Sequence, residues 1–395
     1  MEYRGAPTRS EFARNAVFFP VLLGIGLKTR FLFVDGLRGL ASLSVALFHI
    51  GRDFLGIKIL FYGGYGVTVF FVLSGFVISH SIIGKAVTGK FFATFALKRS
   101  IRLDPAYWVA IALAMMIIGT PGILLGYKAD LPSLTDIAFH LIYVQDILRI
   151  KPIDVVFWSL CYEVQFYVLF CGILFLLNKF WGGGVGDRQP VVVFAVLLAV
   201  SLLWPLNILA QIAPGLFINL WFLFLLGVFA RWGADSLLAR LVLGAAITCL
   251  LIQFGLEENF ELAVGSVTAA LLFLAIYFDK MRKWLNSTWI QYFGRISYSL
   301  YLVHNIVGLY VRDTGLHILS KYFGSSSLLL NYICCAIALA ASIVAAHLLY
   351  RYVEFPSHAL SRRTDIASAV STLKKILRFC GWCLKDDCPK EKMKK

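Results

Sequence analysis

Residues 31–49 read FLFVDGLRGLASLSVALFH, an apolar stretch that is long enough for a membrane-spanning helix but contains Asp35, Arg38 and His49. Ionisable side chains are costly in hydrocarbon, so they usually have a partner or a function there. In a helix, Arg38 and His49 would share one face and lie about 16 Å apart along the axis. Such a face suits a long substrate with an anionic end. The alternative is an arginine at the membrane surface and a histidine packed between helices.

The composition is that of a membrane protein. The chain has 395 residues, of which 59% are hydrophobic and 15% are charged, and its mean hydropathy is +0.79. Soluble domains are nearer half apolar and a quarter charged. The net charge of +15 fits cytoplasmic loops that face anionic lipid better than it fits nucleic-acid binding. We therefore predict a bilayer protein with no nucleic-acid partner.

The apolar runs predict an all-α, polytopic membrane helix bundle. A single transmembrane domain covers residues 31–355, after a basic N-terminal segment, 1–30, with a short apolar interfacial patch. Residues 356–395 form a basic tail. We find no internal repeat of the kind that marks many transporters. The bundle has about ten transmembrane helices, at approximately 37–54, 62–83, 106–125, 156–178, 190–210, 212–230, 239–255, 262–278, 296–311 and 326–350.

The distribution of basic residues predicts the orientation. If both termini are cytoplasmic, most of the 37 Lys and Arg residues lie on cytoplasmic segments, as is usual for membrane proteins. We therefore predict a multi-pass protein of the cell (inner) membrane with both termini inside. Cys380, Cys383 and Cys388 cluster in the tail but lack a fourth ligand, so free or acylated thiols are favoured and no metal site is predicted.

Residues 97–108, LKRSIRLDPAYW, place a basic cluster before Pro105, which is well placed to begin the third span. If that stretch is helical, Arg99 and Arg102 share a face, at the cytoplasmic end and on the same side as Arg38. Basic residues on that side need no further function. Two arginines beside an intramembrane third, however, can hold a phosphorylated ligand by paired hydrogen bonds.

The predicted fourth span begins with residues 157–170, FWSLCYEVQFYVLF, and enters from outside. Glu163 then lies in the outer half of the membrane, at the depth expected for His49. A carboxylate beside a histidine fixes its tautomer and raises its basicity, as a general base requires. The alternative is an isolated, protonated glutamate. Trp158 and Ser159 are candidates for lining the same cavity.

Residues 293–310, FGRISYSLYLVHNIVGLY, form the predicted ninth span, with His304 near mid-membrane. Tyr298 adds a polar group on the way there. Both are candidates for lining a substrate tunnel, although a packing role for His304 is equally consistent with the sequence.

The predicted second span is rich in glycine. Its residues 62–79 read YGGYGVTVFFVLSGFVIS. Small residues let helices approach closely in a membrane, so we predict packing and assign no catalytic role to these glycines.

Five of these segments occur in an order that resembles the membrane acyltransferase family 3, which includes bacterial O-acyltransferases of surface polysaccharides and antibiotics. They are DGLRGLAS with Arg38 and His49 as R-x10-H, then FFVLSGF, KRSIRLDPAYW, FWSLCYEVQFY and GRISYSLYLVH. The resemblance covers residues 31 to about 351. It implies that His49 takes part in transfer and that Arg99 and Arg102 handle acyl-CoA. Members often have an acidic or aromatic residue where this chain has Val164.

The sequence and the resemblance together predict an integral membrane O-acyltransferase. It would move an acyl group, with acetyl favoured, from acyl-CoA to a hydroxyl of a glycan or lipid-linked saccharide. Arg38, Arg99 and Arg102 would bind the phosphates of the donor. His49, oriented by Glu163, would take the proton from the acceptor hydroxyl.

Two other classes of function remain open from the sequence. A proton-coupled secondary transporter could use His49 and Glu163 as a relay, and a sensor or scaffold could carry a degraded site. The basic residues on one face and the lack of a repeat favour the enzyme. Solute counterflow without consumption of acyl-CoA would favour the transporter.

Overall fold

A computed structural model describes residues 31–125, 131–182, 188–210, 215–323 and 327–364. Several predictions lie outside these residues: those for the N-terminal segment with its apolar patch, for the tail beyond residue 364, and for Cys380, Cys383 and Cys388.

The described residues form a bundle of α-helices. In chain order the helices are α1 (Leu32–Gly51), α2 (Gly66–Ile82), α3 (Gly89–Leu125), α4 (Leu134–Leu141), α5 (Trp158–Trp181), α6 (Arg188–Ser201), α7 (Trp221–Trp232), α8 (Leu237–Glu257), α9 (Phe260–Tyr277), α10 (Thr288–Phe323), α11 (Leu328–Leu349) and α12 (Phe355–Arg363). Short 3₁₀ turns precede α2, α5 and α7, and a π-helical turn, Tyr350–Glu354, joins α11 to α12.

This architecture confirms the predicted all-α, polytopic membrane bundle. Seven helical segments of the described chain are long and apolar enough to cross a membrane, and the apolar helices α6 and α7 are shorter. Each of the ten predicted spans overlaps one helix. The largest shift of a single boundary is at the start of α3, which begins at Gly89 rather than near residue 106, so Lys98, Arg99 and Arg102 lie on the helix. Lysine and arginine are good helix formers, so nothing in this segment ends a helix at the membrane surface.

Helix α1 packs along α10, and both of its ends are bonded to that helix. Where the two cross, a Cβ atom on Gly39 would lie 2.5 Å from the backbone nitrogen of Gly294. Gln291 donates to the Leu32 carbonyl at one end of α1, at 2.8 Å. At the other end Arg312 donates to the carbonyls of residues 49 and 50, at 3.1 and 3.0 Å. The helix that carries Arg38 and His49 is therefore held in register with α10.

The glycines of the second predicted span do pack closely. A Cβ atom on Gly75 would overlap the backbone of α7, and one on Gly227 of α7 would overlap the backbone of α2. Gly63 and Gly66 lie against carbonyl oxygens of α1 in the same way. The prediction of a packing role is confirmed for these positions.

The end of the connection that precedes α5 has several buried residues. Ile153, Asp154 and Phe157 are all less than a tenth exposed. Asn305 in the middle of α10 donates to Asp154 at 2.9 Å, and the Tyr301 hydroxyl donates to the Val156 carbonyl at 2.8 Å. Helix α5 therefore begins level with the middle of α10 rather than at the outer surface.

Candidate active site

Three arginines from two helices meet at one cavity. Arg38 comes from α1, and Arg99 and Arg102 come from successive turns of α3. Together with the open solvent at its mouth, the cavity encloses about 480 Å³. The structure thus brings together the three arginines that the sequence placed on one side of the membrane. The residues that line the cavity are Arg38, Leu73, Ser74, Val77, Arg99, Arg102, Leu103, Glu163 and Tyr298.

Glu163 is bonded to the arginine group. Its Oε1 atom accepts a hydrogen bond from Arg99 Nη2 at 2.7 Å, and the two side chains are 20% and 22% exposed. The Ser74 and Tyr167 hydroxyls also donate to the same oxygen. The Arg99 guanidinium lies over the Tyr167 ring, 3.6 Å from its centroid. These contacts fix the carboxylate and the guanidinium in one geometry.

Two arginine nitrogens in this cavity have no partner. Arg38 Nε and Arg99 Nε are buried and make no hydrogen bond within the described chain. Buried polar groups are nearly always bonded in folded proteins, so a pair of unpartnered donors needs an explanation. A guanidinium is well suited to phosphate and carboxylate oxygens, and an anionic ligand in the cavity would satisfy both donors.

Glu354 also belongs to this region, and the sequence analysis did not identify it. It ends the π-helical turn after α11, accepts a hydrogen bond from Ser299 at 2.6 Å, and lies near enough to Arg38 and Arg102 to interact with both charges. A glutamate directly after the last apolar run was the available signal. Single π turns are frequent at functional sites.

A second cavity continues from the first and encloses about 370 Å³, including open solvent. Both are lined by Arg38, Ser74, Glu163 and Tyr298, and the second also reaches Tyr301 of α10 and the start of α5. The remaining residues that line it are Val67, Phe70, Phe71, Ser159, Leu160 and Tyr301.

Two of the four residues predicted to line a substrate cavity or tunnel line the two cavities described above. Ser159 and Tyr298 line these cavities, and Ser159 shares a 2.6 Å hydrogen bond with the Tyr301 hydroxyl. Trp158 lines neither of the two and packs against Phe71, with ring centroids 5.8 Å apart. His304 lies behind Tyr301, with ring centroids 5.8 Å apart.

The two histidines of the site lie side by side. The ring centroids of His49 and His304 are 5.3 Å apart. His304 is fully buried, whereas His49 is partly exposed. The sequence analysis treated them separately, with His49 in the outer half of its span and His304 near mid-membrane. Because the two predicted spans run in the same direction, this small difference in depth was the available signal.

The predicted pairing of Glu163 with His49 is wrong. Glu163 is bonded to Ser74, Arg99 and Tyr167 in the arginine group, and the ring beside His49 is that of His304. The prediction assumed that α5 begins at the outer membrane surface and counted the depth of Glu163 from there. Because the connection before α5 is already buried, Glu163 lies deeper than that count gave. A catalytic role for Glu163 stays a prediction.

Asp154 is a buried titratable group in the connection before α5, close to this region. Burial raises the pKa of its carboxyl group to about 6, although hydrogen bonds from the Val156 N–H and the Asn305 amide stabilise the ionised form. Its partner Asn305 directly follows His304, so the carboxyl group lies at the level of the histidine pair.

The chain is similar to known acyltransferases. A family model described as an acyltransferase domain matches residues 31–347. The O-acetyltransferase OatA of Staphylococcus aureus (strain COL) is 28% identical over 238 residues, which are 57% of this chain and 36% of that protein. A second protein of that strain, provisionally named an O-acetyltransferase, is 25% identical over 385 residues, 82% of this chain and 56% of its own. The match therefore spans about a third to a little over half of these relatives. No solved structure matches the chain.

Proposed function

Since the chain belongs to the acyltransferase 3 family, we propose that it is an O-acyltransferase that moves an acyl group from acyl-CoA to a hydroxyl group of a glycan or lipid-linked saccharide. The names of the relatives favour acetyl as the group transferred. The chain is a multi-pass membrane protein, and its basic residues favour the cell (inner) membrane with both termini inside.

One observation carries the proposal. The unpartnered Nε atoms of Arg38 and Arg99 point to an anionic ligand at one end of α1, while His49 lies at the other end of the same helix. The spacing along the helix is about 16 Å. A donor with phosphates at one end and a reactive thioester at the end of a long arm matches this arrangement.

The arginine group would bind the donor. Arg38, Arg99 and Arg102 offer guanidinium donors whose geometry fits phosphate oxygens. Glu163 keeps Arg99 in place through their 2.7 Å ion pair. The second cavity, which leads from this group to Ser159 and Tyr301, would take the arm of the donor.

His49 would act as the general base. Its imidazole takes the proton from the acceptor hydroxyl, whose oxygen attacks the thioester carbonyl carbon. The carbon–sulfur bond then breaks, and the thiolate of CoA leaves with the proton that His49 returns. Such assistance is typically worth about 10²–10⁴-fold in rate. With the predicted orientation, the donor would enter from the cytoplasm and the acceptor from outside.

The test is acyl transfer by the purified protein in liposomes. Labelled acetyl-CoA is supplied with glycans and lipids extracted from the host, and His49→Ala is assayed in parallel. We expect label in an alkali-labile ester with the wild type and none above background with the variant. Solute counterflow by the wild type with no consumption of any acyl-CoA would contradict the proposal and favour a transporter.

A further inference from the structure

The hydrogen bonds of His304 determine which of its ring nitrogens carries the proton. Its Nδ1 atom lies 3.1 Å from the Leu300 carbonyl oxygen and 2.8 Å from the Tyr301 carbonyl oxygen. A carbonyl oxygen only accepts, so Nδ1 carries the hydrogen and donates it. In the neutral imidazole, Nε2 then carries a lone pair and can only accept a hydrogen bond.

That acceptor is buried and unsatisfied. His304 is 0% exposed, and its Nε2 atom has no hydrogen-bond partner within the described chain. Leaving a buried acceptor unpaired is unfavourable, and such groups often mark a functional site. The ring of His49, 5.3 Å away between centroids, belongs to a residue that can supply an N–H donor.

We propose that His304 orients His49 for catalysis by accepting a hydrogen bond from one of its ring nitrogens. This inference rests on the proposed acyl transfer. In this arrangement one His49 N–H donates to His304 Nε2, and the other His49 nitrogen stays unprotonated and able to take the proton of the acceptor hydroxyl. The result is a chain from the backbone carbonyls through His304 to His49. It follows the general pattern in which a third group orients a catalytic base.

The surroundings leave this task to His304. Two arginines lie near His49: Arg52, which follows α1, and Arg312, which binds the carbonyls of His49 and Ile50. Neither guanidinium can accept a hydrogen bond from an imidazole, and the carboxylates paired with them, those of Asp53 and Asp313, are mostly exposed. Asp154 accepts hydrogen bonds from the Val156 N–H and the Asn305 amide through Oδ1. His304 Nε2 is thus the acceptor that the described structure places against the His49 ring. His304 is a positioning residue, because it acts through His49.

Two amide substitutions of His304 separate positioning from packing. The longer side chain in His304→Gln can place an amide oxygen where Nε2 lies, so it can still accept from His49. The shorter one in His304→Asn can replace Nδ1 and keep a bond to the carbonyls, but it does not reach His49. Both variants are polar and smaller than histidine, which makes them a matched pair for folding.

The experiment measures kcat and donor KM for acetyl transfer, with monodispersity in detergent as the folding check. We expect His304→Asn to lower kcat about 10- to 100-fold and His304→Gln to retain at least a third of the wild-type kcat, with donor KM within about twofold of wild type in both. An unchanged kcat in His304→Asn would overturn the proposal. Equal losses in the two variants would also overturn it, because packing alone would then explain them.

This outcome is distinguishable from a failure of the proposed function. If the wild type transfers acetyl and His49→Ala does not, the proposed function stands whatever His304 does. If the wild type transfers no acyl group from acyl-CoA, the proposed function fails, and the inference about His304 fails with it.

Discussion

The two ends of α1 differ in the groups that surround them. At the inner end, Arg38 lies among Arg99, Arg102, Glu163 and Glu354, beside open cavities and partly exposed. At the outer end, the His49 ring lies beside the buried ring of His304. A cluster of arginines suits the binding of an anion, whereas an imidazole that lies beside a second imidazole suits reversible proton transfer. In the proposed reaction, the length of α1 would therefore separate donor binding from chemistry.

The largest effect is expected when the proposed general base, His49, is removed. His49→Ala should lower kcat by about 10²–10⁴-fold because the general base is lost. Donor KM should stay within about twofold, since the arginine group is untouched. Steady-state transfer of labelled acetyl groups measures both constants. A large rise in donor KM would show that His49 helps to bind the donor and would erase the distinction between the two ends.

The converse change is at the arginine end. Arg99→Ala combined with Arg102→Ala should raise donor KM by at least about 10- to 100-fold, because the loss of even one charge-assisted hydrogen bond, worth about 1.5–3 kcal/mol, is enough for that change. Lys98→Ala is the matched control, since Lys98 is on the same helix and does not line the cavity. Donor titrations of the three proteins give the comparison. An unchanged KM in the double variant would rule out docking at these arginines.

Substitution of Arg312 should have a smaller effect, at the outer end of α1. It binds the last carbonyls of α1 and lies over the Phe54 ring, 4.2 Å from its centroid. Arg312→Gln should lower the Tm and reduce kcat by about tenfold, because a displacement of a catalytic group by about 1 Å can cost up to 10²-fold in rate.

Asp313→Asn is the control for Arg312. Asp313 is mostly exposed and pairs with Arg312 at 2.8 Å, so its loss should change stability by less than about 1 kcal/mol. Thermal unfolding and turnover of both variants in the same detergent decide the question. Equal effects of the two substitutions would show that the hydrogen bonds from Arg312 to the carbonyls of α1 do not position His49.

The smallest effect concerns pH. Because burial raises the pKa of Asp154 to about 6, the fold favours the protonated carboxyl group. The protonated Asp154 carboxyl group therefore stabilises the fold fully below its pKa in the unfolded chain, near 4, and this stabilisation is lost as the pH rises to about 6. Asp154→Asn keeps an acceptor for Val156 N–H, so it should flatten the dependence of Tm on pH between 4 and 6. An identical slope in both proteins would contradict this environment for Asp154.

Much of the bundle follows from the sequence, because long apolar runs must form helices in a membrane. The grouping of Arg38 with Arg99 and Arg102 also follows, since each lies near the same membrane surface. The level at which α5 begins does not follow, because burial of the connection before it depends on tertiary contacts such as that from Asn305. The position of Glu163 was therefore misjudged by more than a helical turn.

The histidine pair and Glu354 were missed for a related reason. Sequence spacing relates residues on one helix, but His49 and His304 lie on helices far apart in the chain, and their register is set by the close crossing at Gly39. Glu354 depends on a π-helical turn that no spacing rule indicates. Contacts between helices can be predicted only when the packing of the helices is known, whereas the residues that share a face of one helix can be predicted from their spacing.

Photo-crosslinking with an acyl-CoA whose acyl group carries a diazirine tests the separation of the two ends most directly. Irradiation in liposomes, proteolysis and mass spectrometry locate the label, and excess CoA serves as competitor. We expect labelled peptides from α1 and α10 around His49 and His304, lost on competition and strongly reduced in the Arg99→Ala, Arg102→Ala double variant. Label confined to peptides around Arg38 and Arg99, or label that CoA does not displace, would contradict donor binding at one end and chemistry at the other.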